Sequence, residues 1–514
     1  MAFSVWNSNH VGVTTVPNWL VLLASVGALG FLLAILLGDH EPYGRFRRLG
    51  QPWYLSFLPS KPVNELVAQG YHESREPFVV RWWALDWLVL GPQYLPDLKH
   101  CESTSLSFFR VISDALHLNY SVDDLYHSEK MTDVIKKGMN TQLPALTPIV
   151  VEELEPAFER QFSKATGWQE VPVADAISDL TNQVACRVLI CRELSRDEKF
   201  LRLSMKFQHS IFVHAMIIIS FPFGPLRKLF SWVITLPHRR NLGKAIALLQ
   251  PIVARRMVEK AQGKLKTKPN DGIEWTLDLT GDVDMDPYRV SLEVLHNLFA
   301  GSLAPGAMIT EMIFQALTDA KLLEELRTEA KKALDSYGWT EKLLQKLYLQ
   351  DSFIRELNRI HPTGSTGCSR LVVDKSFTFS DGITLPRGTR VTFPIQAIMN
   401  DSQGSLQNAT QFDAYRFLHL RDGSSGEDGG GNDYQWSASS ISSANLMFGY
   451  GKHACPGRYY CIRQAKLIFT KLLVEYDLEW PVAGIERPQR EAMEGQFGPN
   501  RTQKMRIRRR AAQQ

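Results

Sequence analysis

The sequence has little excess charge and few cysteines for a chain of 514 residues. Its 58 Lys and Arg residues face 54 Asp and Glu residues, so the formal net charge is only +4. A chain so balanced lacks the broad basic surface that binds nucleic acid, and we expect no nucleic-acid partner. The six cysteines are scattered and form no CxxC pair, which argues against a disulfide framework and a zinc site. The 44% of hydrophobic residues instead predicts a large packed core.

Long apolar runs are also scarce, apart from one close to the N-terminus. Residues 19–37 carry no charge and approach the length of about 20 residues that spans a bilayer as a helix. No Lys or Arg precedes this run and no small-residue cleavage site ends it, so it predicts an uncleaved anchor rather than a signal peptide. Because Arg45, Arg47 and Arg48 follow it, the positive-inside rule places the rest of the chain on the cytosolic side.

The remaining pattern divides the chain into three parts. Residues 1–38 are predicted to form the membrane anchor, residues 39–62 a proline-rich connector, and residues 63–514 one catalytic domain. Helical spacing dominates that domain, so the fold is predicted to be mainly α with small β-sheets. The predicted helices cover residues 102–118, 129–162, 174–192, 240–262, 287–319, 320–336 and 341–360.

Shorter signals complete this prediction. Residues 78–82 and 87–90 are predicted to form strands, and the alternating segment 372–393 is predicted to be rich in hairpins. The Gly- and Ser-rich residues 421–440 indicate a loop that cannot order itself, and the basic stretch 505–510 indicates a solvated tail.

The most specific motif is FGYGKHACPGR at residues 448–458, followed by a helical pattern to about Tyr476. Pro456 suits the first position of that helix, so Cys455 would lie where free N–H groups and the helix dipole stabilise a thiolate that can ligate metal. Around it, glycines let the backbone approach a large flat group, an aromatic ring supplies a wall, and a histidine can donate to an anion. A heme with its propionates would fit this environment. The residues predicted to surround it are Phe448, Gly449, Gly451, His453 and Gly457.

This motif resembles the heme-binding signature of the cytochrome P450 family, specifically that of its fungal microsomal members. The resemblance implies the cytochrome P450 fold, with Cys455 as the axial ligand of heme b iron. The segment ELNR, from Glu356 to Arg359, resembles the ExxR motif of the family, and Arg416 resembles the arginine that completes a triad with it. The spacing of three residues places Glu356 and Arg359 on one helix face. Arg370 resembles the arginine that binds a heme propionate.

The resemblance breaks in the long predicted helix 287–319. The family usually carries an acidic or amide residue followed by Thr there, and the pair holds the water that protonates bound dioxygen. Aligned on Phe299 and Ala300, this chain has Leu303 and Ala304 at those positions, and neither can relay a proton. The usual relay is therefore absent.

Two interpretations of this segment remain open. We place Ala300, Gly301 and Ala304 over the iron, and the Ser302 hydroxyl, the Gly301 carbonyl that Pro305 frees, or a substrate hydroxyl could deliver the proton. The alternative is that the segment forms only a packing kink, which involves Gly301, Pro305 and Gly306.

These observations predict a membrane-bound heme-thiolate monooxygenase that hydroxylates, epoxidises or repeatedly oxidises a small apolar metabolite. The resemblance to fungal enzymes implies secondary metabolism, with terpenoid or polyketide-like substrates and terpenoids favoured. The resemblance implies electrons from NADPH–cytochrome P450 reductase, with cytochrome b5 as a possible second donor, and a single-pass enzyme of the endoplasmic reticulum membrane. Two alternatives stay open. A heme-thiolate isomerase or dehydratase would need neither dioxygen nor NADPH, which Leu303 and Ala304 favour. The other alternative is a non-catalytic heme-binding membrane protein. The intact set of Glu356, Arg359, Arg416 and Cys455 argues against it, because such a protein would not need it.

Overall fold

A computed structural model defines the fold. It describes residues 43–51, 61–83, 85–122, 125, 128–162, 167–220, 227–264, 267–281, 286–401, 406–424 and 433–511. The predicted anchor over residues 19–37 lies outside these residues. Within the described part of the chain, no helix has both the length and the apolar character that crossing a membrane requires.

Helices form most of the described chain, as the sequence predicts. In chain order they are α1 Val63–Glu73, α2 Leu95–Leu98, α3 Phe108–Leu116, α4 Lys130–Asp133, α5 Leu143–Phe162, α6 Val173–Leu189, α7 Arg192–Ser195, α8 Glu198–Ser220, α9 Arg227–Ile234, α10 Leu236–Ala261, α11 Gly272–Asp278, α12 Pro287–Ala316, α13 Ala320–Tyr337, α14 Glu341–Lys346, α15 Tyr348–Ile360, α16 Ile395–Met399, α17 Arg416–Ser424 and α18 Arg458–Glu475. Helix α12, with 30 residues, runs through the main core and packs against α6, α10, α11 and α18.

Several predicted helices differ from the observed ones. The predicted helix 129–162 is not a continuous α-helix. Between α4 and α5 the chain forms a π-helical turn at Val134–Gly138 and a 3-10 helical turn at Met139–Gln142. Gly138 lies so close to the Trp275 side chain that a Cβ atom on it would be 2.6 Å away, which shows that packing directs the chain here. The predicted helix 341–360 divides at Leu347, and helix α8 was not predicted at all.

The strands form one large sheet and three small ones. The strands are β1 Arg47–Leu49, β2 Phe78–Trp82, β3 Leu85–Val89, β4 Leu106–Ser107, β5 Gln169–Pro172, β6 Gly367–Val372, β7 Ser376–Thr378, β8 Thr384–Pro386, β9 Arg390–Phe393, β10 Tyr476–Glu479, β11 Glu491–Met493, β12 Gln496–Gly498 and β13 Lys504–Arg509. The large sheet has the order β1-β2-β3-β9-β6-β4.

The large sheet agrees with most of the strand predictions. Strand β2 has the predicted bounds, β3 begins two residues early, and β6 to β9 occupy the region predicted to contain hairpins. Strand β4 shortens the predicted helix 102–118, because Leu106 and Ser107 pair with β6. Strand β1 lies in the predicted connector and pairs with β2, so that part of the connector belongs to the folded domain.

Near the C-terminus, one prediction is wrong and another needs correction at the ends of its segment, whose residues 425–432 lie outside the described part of the chain. The basic stretch 505–510 is not a solvated tail, because β13 lies between β10 and β5 in a three-stranded sheet. Met505 and Ile507 are fully buried on one face of β13. The predicted loop 421–440 is ordered at both ends, by α17 and by a tight turn at Asp433–Trp436.

The burial of β13 leads to the first prediction. Replacing Ile507 with Ala should lower the free energy of unfolding by about 2–5 kcal/mol, because the removed methyl groups leave a cavity in the core. Lys504→Ala, at the exposed start of the same strand, should change it by less than about 0.5 kcal/mol. Urea unfolding followed by circular dichroism measures both values. Equal unfolding midpoints for the two variants would contradict the packing of β13.

Candidate active site

The loop that carries Cys455 is held in place by its own backbone. The Cys455 N–H donates to the Phe448 carbonyl oxygen at 2.8 Å, which closes the loop. Gly451 has a φ of +67°, and a Cβ atom on it would lie 2.6 Å from the Lys99 Cα, so the turn requires glycine. Gly449 also has a positive φ, of +79°. Helix α18 begins at Arg458, so the prediction that Pro456 takes its first position is wrong by two residues.

The Cys455 side chain is open on one side and enclosed on the others. The residue is exposed, in contrast to the buried Cys186, Cys191 and Cys368. Burial by the surrounding loop raises the pKa of the Cys455 thiol above its usual value, and the N–H groups of Gly457 and Arg458 act in the opposite direction. The thiol thus faces N–H groups, as the sequence predicts. Ligation to a metal ion would remove the proton from this thiol.

Two residues that the sequence analysis missed support this loop. The Arg458 guanidinium donates to the Cys455 carbonyl at 2.8 Å through Nη1 and to the Ser439 carbonyl at 3.1 Å through Nε. The Asn140 amide donates to the Pro456 carbonyl at 2.9 Å. Arg458 is the last residue of the motif, so its role was open to prediction. Asn140 lies over 300 positions earlier, and no local pattern marks it.

A cationic cradle lies beside the cysteine loop. Arg370 is 1% exposed, and its Nη1 donates to the Ser369 carbonyl at 2.8 Å, whereas its Nε and Nη2 have no partner among the described residues. Burial and the charge of Arg370 lower the pKa of His453, whereas Glu129 acts in the opposite direction, and the His453 Nε2 lies 3.3 Å from the Ser103 Oγ. Buried donors without acceptors are costly, so the cradle fits an anionic group such as a heme propionate.

The predicted triad is assembled and buried. Glu356 is 0% exposed and accepts two hydrogen bonds of 2.8 Å from Nε and Nη2 of Arg359. The same carboxylate accepts from the Arg416 Nε at 3.0 Å and from the Asp413 N–H at 3.1 Å. Arg359 also donates to the Met399 carbonyl at 3.0 Å. Four donors therefore compensate a single carboxylate, which meets the condition for a stable buried ion cluster.

The open face of α12 carries alanines. Ala300 and Ala304 are exposed, although the helix around them is largely buried. Residues four positions apart share one helix face, so this face borders open space. Gly301 is half-buried, and a Cβ atom on it would lie 2.4 Å from the Leu189 Cδ1. The small residues thus allow α6 to approach on one side and leave room on the other.

Ser302 lies away from that open face. It is 1% exposed, and its hydroxyl donates to the Asn182 side chain of α6 at 3.2 Å. A Cβ atom on Gly306 would lie 2.7 Å from the Thr181 Oγ1, which is also on α6. These contacts favour a packing role for Ser302 and Gly306. Pro305 has no N–H, so the Gly301 carbonyl receives no helical hydrogen bond from it.

An exposed cysteine next to a buried cationic cradle, in a mainly helical fold, defines a heme-thiolate protein. The model of the cytochrome P450 family matches residues 129–502. The chain is 36% identical over 444 residues to the cytochrome P450 monooxygenase sirB of Leptosphaeria maculans, covering 86% of this chain and 84% of that protein. It is 24% identical over 505 residues to the ent-kaurene oxidase of Gibberella intermedia, covering 96% and 93%. The chain belongs to the cytochrome P450 family.

A solved structure supports the same fold. The retinoic acid-bound cyanobacterial CYP120A1 superposes with a TM-score of 0.66 at 15% sequence identity, covering 90% of this chain and 99% of that chain. The predicted family and the predicted enzyme class, an oxidoreductase of the monooxygenase type, are confirmed. Membership of the family implies a heme-thiolate cofactor and electrons from a redox-partner reductase.

The triad geometry generates a prediction on folding. Glu356→Ala should lower the free energy of unfolding by about 3–5 kcal/mol, because it leaves the guanidinium groups of Arg359 and Arg416 without their carboxylate. Lys137→Ala removes one partner of an exposed ion pair with Asp133 and should cost less than about 1 kcal/mol. The yield of heme-containing protein and its urea midpoint measure both effects. A Glu356→Ala protein with the midpoint of the parent would contradict the burial of the triad.

Proposed function

We propose that this protein is a monooxygenase of the endoplasmic reticulum membrane that oxidises a small apolar secondary metabolite, with terpenoids as the favoured class. The observation that carries the proposal is the exposed Cys455 thiol in a loop whose His453 feels the charge of Arg370, a buried arginine with Nε and Nη2 unpaired among the described residues. The apolar face of Ala300 and Ala304 supports an apolar substrate. One relative is named for ent-kaurene, and a structural neighbour holds retinoic acid, which favours isoprenoid chemistry.

The residues predicted to bind heme each have a role in this proposal. Cys455 would ligate the iron of heme b, and Arg370 and His453 would bind the propionates. Bound heme supplies the activation of dioxygen, so that one oxygen atom enters the substrate. In the same loop, Phe448 would provide an aromatic wall. The glycines would let the backbone lie along the heme, and these are Gly449, Gly451 and Gly457.

Proton delivery is proposed to rely on backbone and substrate rather than on side chains. Leu303 and Ala304 carry no proton donor, and the Ser302 hydroxyl is engaged by Asn182. The Gly301 carbonyl remains as an acceptor that can hold a water molecule one turn from Ala304. A substrate that bears its own hydroxyl would serve the same purpose.

Membrane attachment is proposed from two separate features. Residues 1–38 include the apolar run, and the arginines that follow it favour a cytosolic catalytic domain. Apolar side chains also project from α8 and α9, where large exposed residues are Val213, Ile217, Leu229, Phe230, Trp232 and Val233. A patch of this kind indicates a partner surface, and the anchor favours the bilayer. NADPH–cytochrome P450 reductase and cytochrome b5 of the same membrane are the proposed electron donors.

The ligand assignment leads to a prediction about Cys455. The reduced parent protein with carbon monoxide should show the red-shifted Soret band of thiolate ligation, and Cys455→Ala should lack it, because it removes the axial ligand. Cys461→Ala is the matched control, since this partly buried cysteine on α18 is not expected to ligate iron.

The same pair of proteins tests the reaction. With the reductase, NADPH and a set of terpenes, the parent and Cys461→Ala should consume dioxygen and form oxygenated product, whereas Cys455→Ala should form none. Product formation without NADPH would instead support an isomerase or dehydratase, and an unshifted Soret band in the parent would refute the ligand.

The anchor proposal predicts a change in membrane attachment. Removing residues 1–38 should release most of the protein from microsomes during carbonate extraction and leave the carbon monoxide spectrum unchanged, because the anchor and the folded domain are separate. In the shortened chain, Trp232→Ser should release more protein, since Trp232 is an exposed apolar residue of α9. Undiminished attachment of the shortened chain would show that the anchor is not the membrane-binding element.

A further inference from the structure

A cavity lined in part by the triad residue Arg359 has no role in the proposed reaction. Its volume is about 270 Å³, and its walls come from α15, α17, the turn at Asp433–Trp436 and residues 442–445. A water molecule takes up about 30 Å³ in the liquid, so the cavity has room for a small hydrated ion. The lining residues used below are Arg355, Phe417, Trp436 and Ala444.

Arg355 is a buried charged side chain of this cavity that keeps unused donors. The residue is 5% exposed, and its Nη1 donates to the Gln435 and Ser437 carbonyls and, at 3.0 Å, to the Ser440 hydroxyl. Among the described residues, its Nε has no partner and its Nη2 makes no hydrogen bond. The guanidinium stacks 4.1 Å from the Phe417 ring centroid and 5.4 Å from that of Trp436. A stacked guanidinium is held in a fixed orientation.

The carboxylates near Arg355 are already engaged by other cations. Asp351 lies 2.6 Å from the Lys466 Nζ and 3.2 Å from an Arg421 nitrogen. Glu356 is bound by Arg359 and Arg416. Arg355 therefore has only neutral acceptors, and its burial lowers its pKa to about 10. A buried cation in this position is electrostatically incomplete, and an anion beside it would offset the cost of its desolvation.

We propose that this cavity binds one small oxyanion of the phosphate type on Arg355. The free Nε–H and Nη2–H lie along one edge of the guanidinium, which is the edge that donates to two oxygens of a phosphate or carboxylate at once. The bound anion would fix Arg355 and, through its Nη1, the segment Gln435–Ser440. That segment also supplies the Ser439 carbonyl, which holds Arg458 beside the cysteine loop. The anion is thus a stabilising ligand for the Cys455 loop.

Equilibrium dialysis of the heme-loaded, full-length protein against radiolabelled inorganic phosphate tests this site. The parent should bind one phosphate per chain at constant ionic strength. Arg355→Lys keeps the charge but loses the two-nitrogen edge, and its affinity should fall at least tenfold. Above the dissociation constant, each tenfold rise in phosphate should raise the melting temperature of the parent by about 1.5 °C.

A second pair of variants keeps the test independent of folding effects at Arg355. Ala444 is exposed and lines the cavity, so Ala444→Asp should place a carboxylate there that excludes phosphate, whereas the isosteric Ala444→Asn should retain binding. Loss of phosphate binding in Ala444→Asp alone supports the site. Absence of binding to the parent, or equal binding by both Ala444 variants, overturns it. The heme spectrum is expected to stay unchanged in both, so this outcome is separate from that of the proposed reaction.

Discussion

The Glu356 carboxylate is the interaction on which the heme-binding half of the molecule depends. It joins α15 to the start of α17 through Arg416 and to the Asp413 backbone, while Arg359 extends the network to the Met399 carbonyl. One turn away, the Ser352 hydroxyl of the same helix donates to the Ala414 carbonyl at 2.6 Å. Helix α15 therefore orders the irregular chain that leads to Cys455. A fully buried carboxylate with four donors holds only one geometry, because any shift would leave a charge unpaired.

The buried arginines fall into two groups, and the difference between them indicates where ligands bind. Arg359 uses every guanidinium nitrogen on protein acceptors. Arg370 and Arg355 each leave Nε without a partner, although both are nearly inaccessible to water. Other arginines of the described part of the chain, such as Arg187, also leave Nε without a partner, so an unpaired donor alone does not mark a ligand site. Arg370 and Arg355 differ from them in their surroundings, because the charge of Arg370 acts on His453 of the cysteine loop and Arg355 lines a cavity.

The sequence predicts the parts of the site whose residues lie close together in the chain. The cysteine loop and the Glu356–Arg359 pair depend on spacings of a few residues, and long helices such as α12 have a clear period. The Asn140 contact with Pro456 and the Ser302 contact with Asn182 depend on how distant helices pack, and a single sequence does not contain that information. The basic C-terminal stretch was misassigned for the same reason. Its strand partners, β5 and β10, lie elsewhere in the chain. Pairing with them buries Met505 and Ile507, which the basic composition of the stretch does not indicate.

The unusual centre of α12 follows from its contact with α6. Gly301 and Gly306 lie where any side chain would collide with Leu189 or Thr181, and Ser302 is bound to Asn182, so this face is committed to packing. The opposite face then carries Ala300 and Ala304, which add neither bulk nor polarity to the space they border. One turn before Pro305, the Gly301 carbonyl receives no helical hydrogen bond from that residue, because proline has no N–H. A carbonyl only accepts hydrogen bonds, so the proton it helps to deliver must come from a water molecule or from the substrate. The helix has thus exchanged a side-chain proton donor for tight packing, and this exchange makes a hydroxyl on the substrate an advantage for the reaction.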